Sequence, residues 1–253
     1  MKKRSQNITN KIWSISAIVV ILVIWQTASS LEWIDSFMLP SPIAVVQAFI
    51  KEFPTLMGHS FITLTEAFLG LGLGILLGFF MAVLMDQFEG LYQAFYPIII
   101  LTQTIPTVAI APLLVLWFGY EMTPKVILIV ITTFFPIAIG LLNGFRSADN
   151  DSIHLLRAMG ADRWQIFRHI KLPGAMSQFF AGLRISASYA VVGAVISEWL
   201  GGFNGLGVYM TRVKQAFAFD KMFAVIFLIS IISLLLMKGV DVLQKVCMPW
   251  DKE

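Results

Sequence analysis

Several stretches of 18 or more residues in this chain carry almost no charged side chain, and that gap limits the possible folds more than any motif does. A helix needs about 20 apolar residues to cross roughly 30 Å of hydrocarbon, so such stretches predict membrane-spanning helices. Six are expected, over Ile12–Ser29, Phe61–Met85, Phe95–Phe118, Pro124–Phe145, Gln178–Leu200 and Met222–Leu243. The composition agrees: 58% of residues are hydrophobic and 13% charged, far from the balance of a soluble domain. The expected fold class is therefore an all-α membrane protein, with residues 1–253 forming a single transmembrane domain. The lone cysteine, Cys247, excludes an internal disulfide and a zinc cluster.

The first span follows Met1-Lys2-Lys3-Arg4, so a secretory signal peptide competes with a membrane anchor. Its length, Trp13 and Trp25 near its ends and the weak cleavage site Ala28-Ser29-Ser30-Leu31 favour the anchor. Orientation follows from Lys and Arg. With a cytoplasmic start, the inner segments hold Lys2, Lys3, Arg4, Lys11, Arg146, Arg157, Arg163, Arg168, Lys171, Lys238, Lys245 and Lys252, and the outer ones Lys51, Lys125, Arg212, Lys214 and Lys221. Twelve against five puts both termini and the loop 146–173 in the cytoplasm of the cell whose membrane holds the chain.

Local signals add detail. After Leu39-Pro40-Ser41-Pro42, the residues Ile43, Val46, Phe49 and Ile50 recur at helical spacing, which suits either a short amphipathic helix at the outer surface or a linker. Gly70, Gly74 and Gly78 form a strip on which another helix can approach closely. Pro97, Pro106, Pro112 and Pro136 bend spans three and four. Around Pro106, the run Gln103-Thr104-Ile105-Pro106-Thr107 reads as either a wall of a water-filled path or plain kinked packing. Two acids fall inside spans. Glu66 lies early in the second, and Glu198 at the outer end of the fifth, where it either snorkels toward headgroups or serves a gate. Arg184 is expected to pair with a backbone carbonyl or to anchor the cytoplasmic end. His154 and His169 read as solvated surface residues, and Gly201–Gly207 as a turn or flexible gate.

The loop 146–173 is basic and long, yet it has the period and punctuation of folded structure. Asp151 or Ser152 can cap a helix carrying Ile153, Leu155, Leu156 and Met159, which Gly160 ends. Asp162 can cap a second, with Trp164, Phe167 and Ile170 on one stripe, ending before Pro173. Such helices need the base of the bundle on one side and either a protein groove or anionic lipid on the other.

The spacing Gly160, nine residues, Ile170-Lys171-Leu172-Pro173 resembles the signature loop of bacterial ATP-binding cassette importer permeases. That signature begins Glu-Ala-Ala, where this chain has His154-Leu155-Leu156. Further matches run through Ala111-Pro112-Leu113-Leu114, Trp117-Phe118-Gly119, Phe135-Pro136-Ile137, Gly182-Leu183-Arg184 and Ser197-Glu198 with Gly205-Leu206-Gly207. Together these look like the branch handling sulfonates, taurine, nitrate and thiamine-pyrimidine precursors. The resemblance implies a type I importer permease in the bacterial inner membrane, and a homodimeric pore. It implies separate ATPase subunits that carry ATP and magnesium, and an extracytoplasmic solute-binding protein. The docking residues it implies are His154, Leu155, Leu156, Met159, Gly160, Ala161, Arg163, Trp164 and Phe167, with Trp164 and Phe167 as anchors. Gln103, Thr104, Pro106, Glu66 and Glu198 are the pathway or gate candidates.

No catalytic group is expected. The sequence has no Gly-x-x-x-x-Gly-Lys-Ser/Thr loop, no His-Glu-x-x-His and no nucleophile elbow. Nucleic acid is not among the expected partners. A membrane scaffold recruiting a cytosolic protein, or an ion-coupled transporter, are the alternatives, and the second lacks an evident buried acid–base network. Span interiors nearly free of Lys and Arg favour a weakly polar solute such as the pyrimidine precursor over an anion.

Overall fold

In the computed structural model the backbone is described for residues 2–249 except 32, 34 and 36, and the side chains for Trp13 and from residue 16 onward, with the same exceptions. The basic side chains of Lys2, Lys3, Arg4, Lys11 and Lys252, on which part of the orientation argument rests, lie outside the described residues. The described residues are helical with short connections: α1 (Lys2–Ser30), α2 (Pro42–Lys51), α3 (Phe53–Gln87), α4 (Glu89–Thr104), α5 (Thr107–Phe118), α6 (Met122–Arg146), α7 (Asn150–Ala158), α8 (Arg163–Ile166), a π turn (Phe167–Lys171), α9 (Leu172–Gly201), α10 (Leu206–Gln215) and α11 (Phe219–Cys247). Among the described residues, four stretches are long and apolar enough to cross a membrane: α3, α6, the continuous run from α8 through α9, and α11. The α4–α5 pair makes a fifth if taken as one span. The described apolar part of α1, Ser16–Ser30, is shorter than these.

Two expected boundaries change for physical reasons. Phe95–Phe118 is not one straight span, because α4 and α5 meet at 99°. Ile105 precedes a proline and is driven into extended backbone, and Pro106 is extended too, so the helix stops and restarts. Pro97, Pro112 and Pro136 sit inside their helices without breaking them. Nor does the second loop helix end before Pro173. The chain runs from α8 through the π turn into α9, where Pro173 occupies the first turn. The N–H of Leu172 reaches back five residues to the Phe167 carbonyl, and this wider turn makes room for the proline ring.

The chain divides into two compact units. One comprises the chain up to Gly58 with Tyr209–Leu228. There Ser41 caps α2 by accepting from the Ala44 N–H, with Pro42 in its first turn. The α2 face that packs is Val45 and Ala48, with Phe49 half-buried, while Ile43, Val46 and Ile50 point outward. The expected stripe is thus rotated, because α2 is apolar on nearly every side and its period does not choose a face. Trp25 lies against Phe223 and Phe227 and donates its indole N–H to the Pro40 carbonyl. Lys221 pairs with Glu52 at 2.6 Å, which holds the Glu52 carboxyl below its ordinary range.

The other unit holds His59–Val208 and the chain from Ile229. Its core is α6 and α9, packed along their length, with α3 laid against α6. A Cβ on Gly140 would stand 2.9 Å from the Gln178 carbonyl oxygen, and one on Gly182 would collide with that of Pro136. The expected glycine strip on α3 faces α6: Gly70 meets Ile129, Gly74 meets Thr133 and Gly78 meets Ile137. Lipid offers helices no hydrophobic reason to associate, so close backbone approach through small residues supplies the contact. Arg184, expected to pair with a carbonyl or act as an anchor, instead bridges α9 to Asp241 (2.6 Å) and Gln244 on α11.

Substituting Gly74→Leu forces a side chain into Thr133 and should cost about 1–3 kcal/mol, seen as a lower thermal midpoint in detergent. Gly72→Leu has open space around its Cβ and should leave the midpoint unchanged.

Candidate functional site

Three sites lie along the α6–α9 pair. The first is the basic loop at the junction of α6 and α9. Asp149, rather than Asp151 or Ser152, caps α7, accepting from the N–H groups of Asp151 (3.3 Å) and Ser152 (3.0 Å) and from the Ser152 hydroxyl (2.5 Å). These donors, the hydroxyl foremost, hold its carboxyl below the ordinary aspartate range. Gly160 ends α7 at φ +87°, a conformation that only glycine adopts cheaply. Its N–H bonds the Arg157 carbonyl and that of Ala161 bonds the Leu156 carbonyl, the paired closure of a Schellman motif. Asp162 and Gln165 form a reciprocal capping box on α8.

The loop is therefore stiffened by local bonds, and its apolar residues divide. Ile153, Ile166 and Phe167 are buried, and Phe167 packs edge-on against Phe145 of α6. Leu155 (63% exposed), Met159 (74%) and Trp164 (62%) point away from the bundle, Trp164 stacked on Phe167. His154, Gly160 and Arg163 are exposed, and Leu156 and Ala161 half-buried. Phe167, expected as an outward anchor, belongs to the core. Arg146 lies 3.4 Å over the Tyr92 ring and pairs with Glu89, so part of the basic face is used internally.

The second site is a cavity of about 310 Å³ at the α4–α5 break. Of the pathway candidates, Gln103 and Pro106 line it, while Thr104 lies outside the lining, its hydroxyl bonded to the Leu101 carbonyl. The sequence did not point to the facing wall: Thr132 of α6, and Tyr189, Val192 and Gly193 of α9. The polar groups present are hydroxyls and one amide, and no charged side chain is among the lining residues.

The third site is at the far ends of α6 and α9. Glu198 is 1% exposed and does not snorkel. The Thr63 hydroxyl donates to its Oε1 at 2.7 Å, and the Gly207 N–H donates to its Oε2 at 2.5 Å. Thr63 Oγ1 in turn accepts the Leu206 N–H (2.9 Å), and His59 Nδ1 accepts the Gly205 N–H (3.0 Å). Three successive backbone donors at the start of α10 are thus held by side chains of α3 and α9, a helix N-terminus closed by a carboxylate. The glycines are required here. Gly205 has φ +121°, and a Cβ on it would collide with the Glu198 carboxylate. The segment expected as a turn or flexible gate is pinned at every amide from Gly205 to Gly207. Beside it, Lys125 in the first turn of α6 pairs with Glu66 at 2.6 Å, both side chains more than nine-tenths buried. Lys125, counted among the outer cations, is thus used inside the bundle, and the spans do contain a buried acid–base pair. His59 was missed because a single histidine on an apolar helix gives no signal of a partner about 150 residues away.

The bundle thus combines a stiff, partly apolar loop at one end with a cavity midway whose mostly apolar wall carries hydroxyls and one amide. The chain belongs to the family described as the binding-protein-dependent transport system inner membrane component, which it matches over residues 74–250. It is a permease subunit of the ATP-binding cassette importer class, an inner-membrane component whose family works with an ATPase and a solute-binding protein. It is 36% identical to the formylaminopyrimidine transport permease ThiX of Halalkalibacterium halodurans, covering 93% of this chain and 94% of that one. It is 32% identical to the taurine transport permease TauC of Escherichia coli, covering 95% and 90%. Among solved structures, the fold is similar to the MetNI methionine transporter in inward-facing conformations, with a TM-score of 0.67 at 20% identity, covering 76% of this chain and 95% of that chain. A bacterial transporter importing alginate gives 0.65 at 17% identity over 96% and 98%.

Replacing Glu198→Ala strips the Gly207 N–H of its acceptor and Thr63 of a partner. Losing a buried partner costs about 1–3 kcal/mol, so the amides at 205–207 should exchange with deuterium about ten- to a hundredfold faster. Hydrogen-exchange mass spectrometry of that segment measures it.

Proposed function

We propose that this chain and a second copy of itself form the translocation pathway for a small polar solute, delivered by an extracytoplasmic binding protein and driven by separate ATPase subunits. ATP and magnesium belong to those partners, and this chain carries the dock. The observation that carries the reading is the outward set Leu155, Met159 and Trp164, large apolar side chains left uncovered on a loop stiffened by two caps and a Schellman closure. Arg157, Arg163 and Arg168, all exposed, flank that set and orient the partner. The Lys and Arg distribution supports a cytoplasmic loop and cytoplasmic termini. Closing of the ATPase pair draws the two loops together, and the spans rock as rigid bodies.

The cavity at the α4–α5 break, with Gln103 and Pro106 in its wall, is the pathway segment in this reading, and Glu66 and Glu198 belong to the outer end. Its uncharged, hydrogen-bonding lining supports a thiamine pyrimidine precursor as solute, as does the similarity to a formylaminopyrimidine permease. Taurine, an aliphatic sulfonate or nitrate is the second reading, supported by the taurine relative.

Trp164→Ala should weaken binding of the ATPase subunit to the detergent-solubilised permease about tenfold, as truncating an interface anchor does. An unchanged Kd rules out the dock. Gly160→Val puts a β-branched residue at φ +87°, costing about 1–3 kcal/mol locally, and should lower uptake while membrane insertion persists.

A further inference from the structure

At the cytoplasmic end of α3, the Asp86 side chain is 3% exposed. A carboxylate near a helix C-terminus faces the negative end of the helix dipole, so its burial there needs a cation. Lys171 supplies it, with Nζ 2.7 Å from Oδ1 and 2.9 Å from Oδ2. Lys171 is the last residue of the π turn and therefore belongs to the same continuous helix as Trp164 of the loop. The neighbouring attachment of the loop to α6, Phe167 on Phe145, is an apolar ring contact that can slide, whereas parting the ion pair would leave the buried Asp86 carboxylate unpaired.

What α3 carries at its other end gives this pair its meaning. Asp86 lies 23 residues along one helix from Thr63, about 35 Å at the helical rise, and Thr63 with His59 holds the amides of Leu206 and Gly205. We infer that the Lys171–Asp86 ion pair is the positioning link that carries movement of the docking loop into α3, and through α3 to the pinned outer segment. The inference rests on the loop being the ATPase dock.

The test uses the permease in complex with its ATPase subunits in nanodiscs, with deuterium exchange at residues 202–208 followed with and without ATP and vanadate. The wild-type complex should show a nucleotide-dependent change there. Lys171→Met and Asp86→Asn should shrink that change about fivefold, in the range by which residues linking two sites alter coupling, while leaving ATPase affinity unaltered. The exchanged pair, Lys171→Asp with Asp86→Lys, should restore it. Because a lone buried carboxylate can prevent folding, Lys171→Met with Asp86→Leu is made alongside, leaving no charge and no link; it too should lose the response. A wild-type complex without a nucleotide response at 202–208 overturns the inference. So does a full response in any unlinked variant, or no recovery in the exchanged pair. Failure of the dock itself reads separately, as an unchanged ATPase affinity in Trp164→Ala.

Discussion

Backbone lies almost against backbone where α6 crosses α9, and the rest of the unit that holds them is hung on that contact. Gly140, Gly144 and Gly182 leave no room for a Cβ between the two helices. Inside hydrocarbon such proximity replaces the hydrophobic drive that would join helices in water. Each helix then serves all three polar regions. Lys125 opens α6 beside Glu66, Thr132 faces the cavity, and Phe145 supports the basic loop. In the opposite direction, α9 follows Lys171, passes the cavity at Tyr189 and ends beside Glu198.

The loop shows how such a surface stays presentable. Apolar side chains in water ordinarily collapse onto the nearest apolar face. Here the backbone is held by bonds that need no burial: the Asp149 cap, the Asp162–Gln165 box and the closure around Gly160. Burial is reserved for Ile153, Ile166 and Phe167, which fasten the loop to the bundle. Leu155, Met159 and Trp164 are left to face outward by the geometry of the helices that carry them.

Features whose causes are local were readable from the residues alone. Gly160 and Asp162 punctuate helices through their own backbone and side chain, and the Gly70-Gly74-Gly78 strip needs only helical period. Long-range partners left no such trace. Glu198 sits beside Trp199 and two glycines, which reads as a membrane interface, yet its role is set by Thr63, 135 residues earlier. Lys125 counted only as an outer cation because Glu66, its partner, is 59 residues away. Phe167 shares a helical stripe with Trp164 on paper, and only the neighbouring Phe145 decides that one turns in and the other out. Pro173 reads as a stop in any scheme that admits α-helical turns alone, and the structure uses a wider one.

That wider turn also has an angular meaning. A π turn accommodates an extra residue without breaking the helix, so side chains beyond it are rotated by roughly 100° from the phase an unbroken α-helix would give. The outward heading of Trp164 and the heading of Tyr189 toward the cavity are thereby decoupled, although one uninterrupted rod bears both. Evolution can retune either bearing by moving or erasing a single bulge, leaving the composition of both surfaces as it stands.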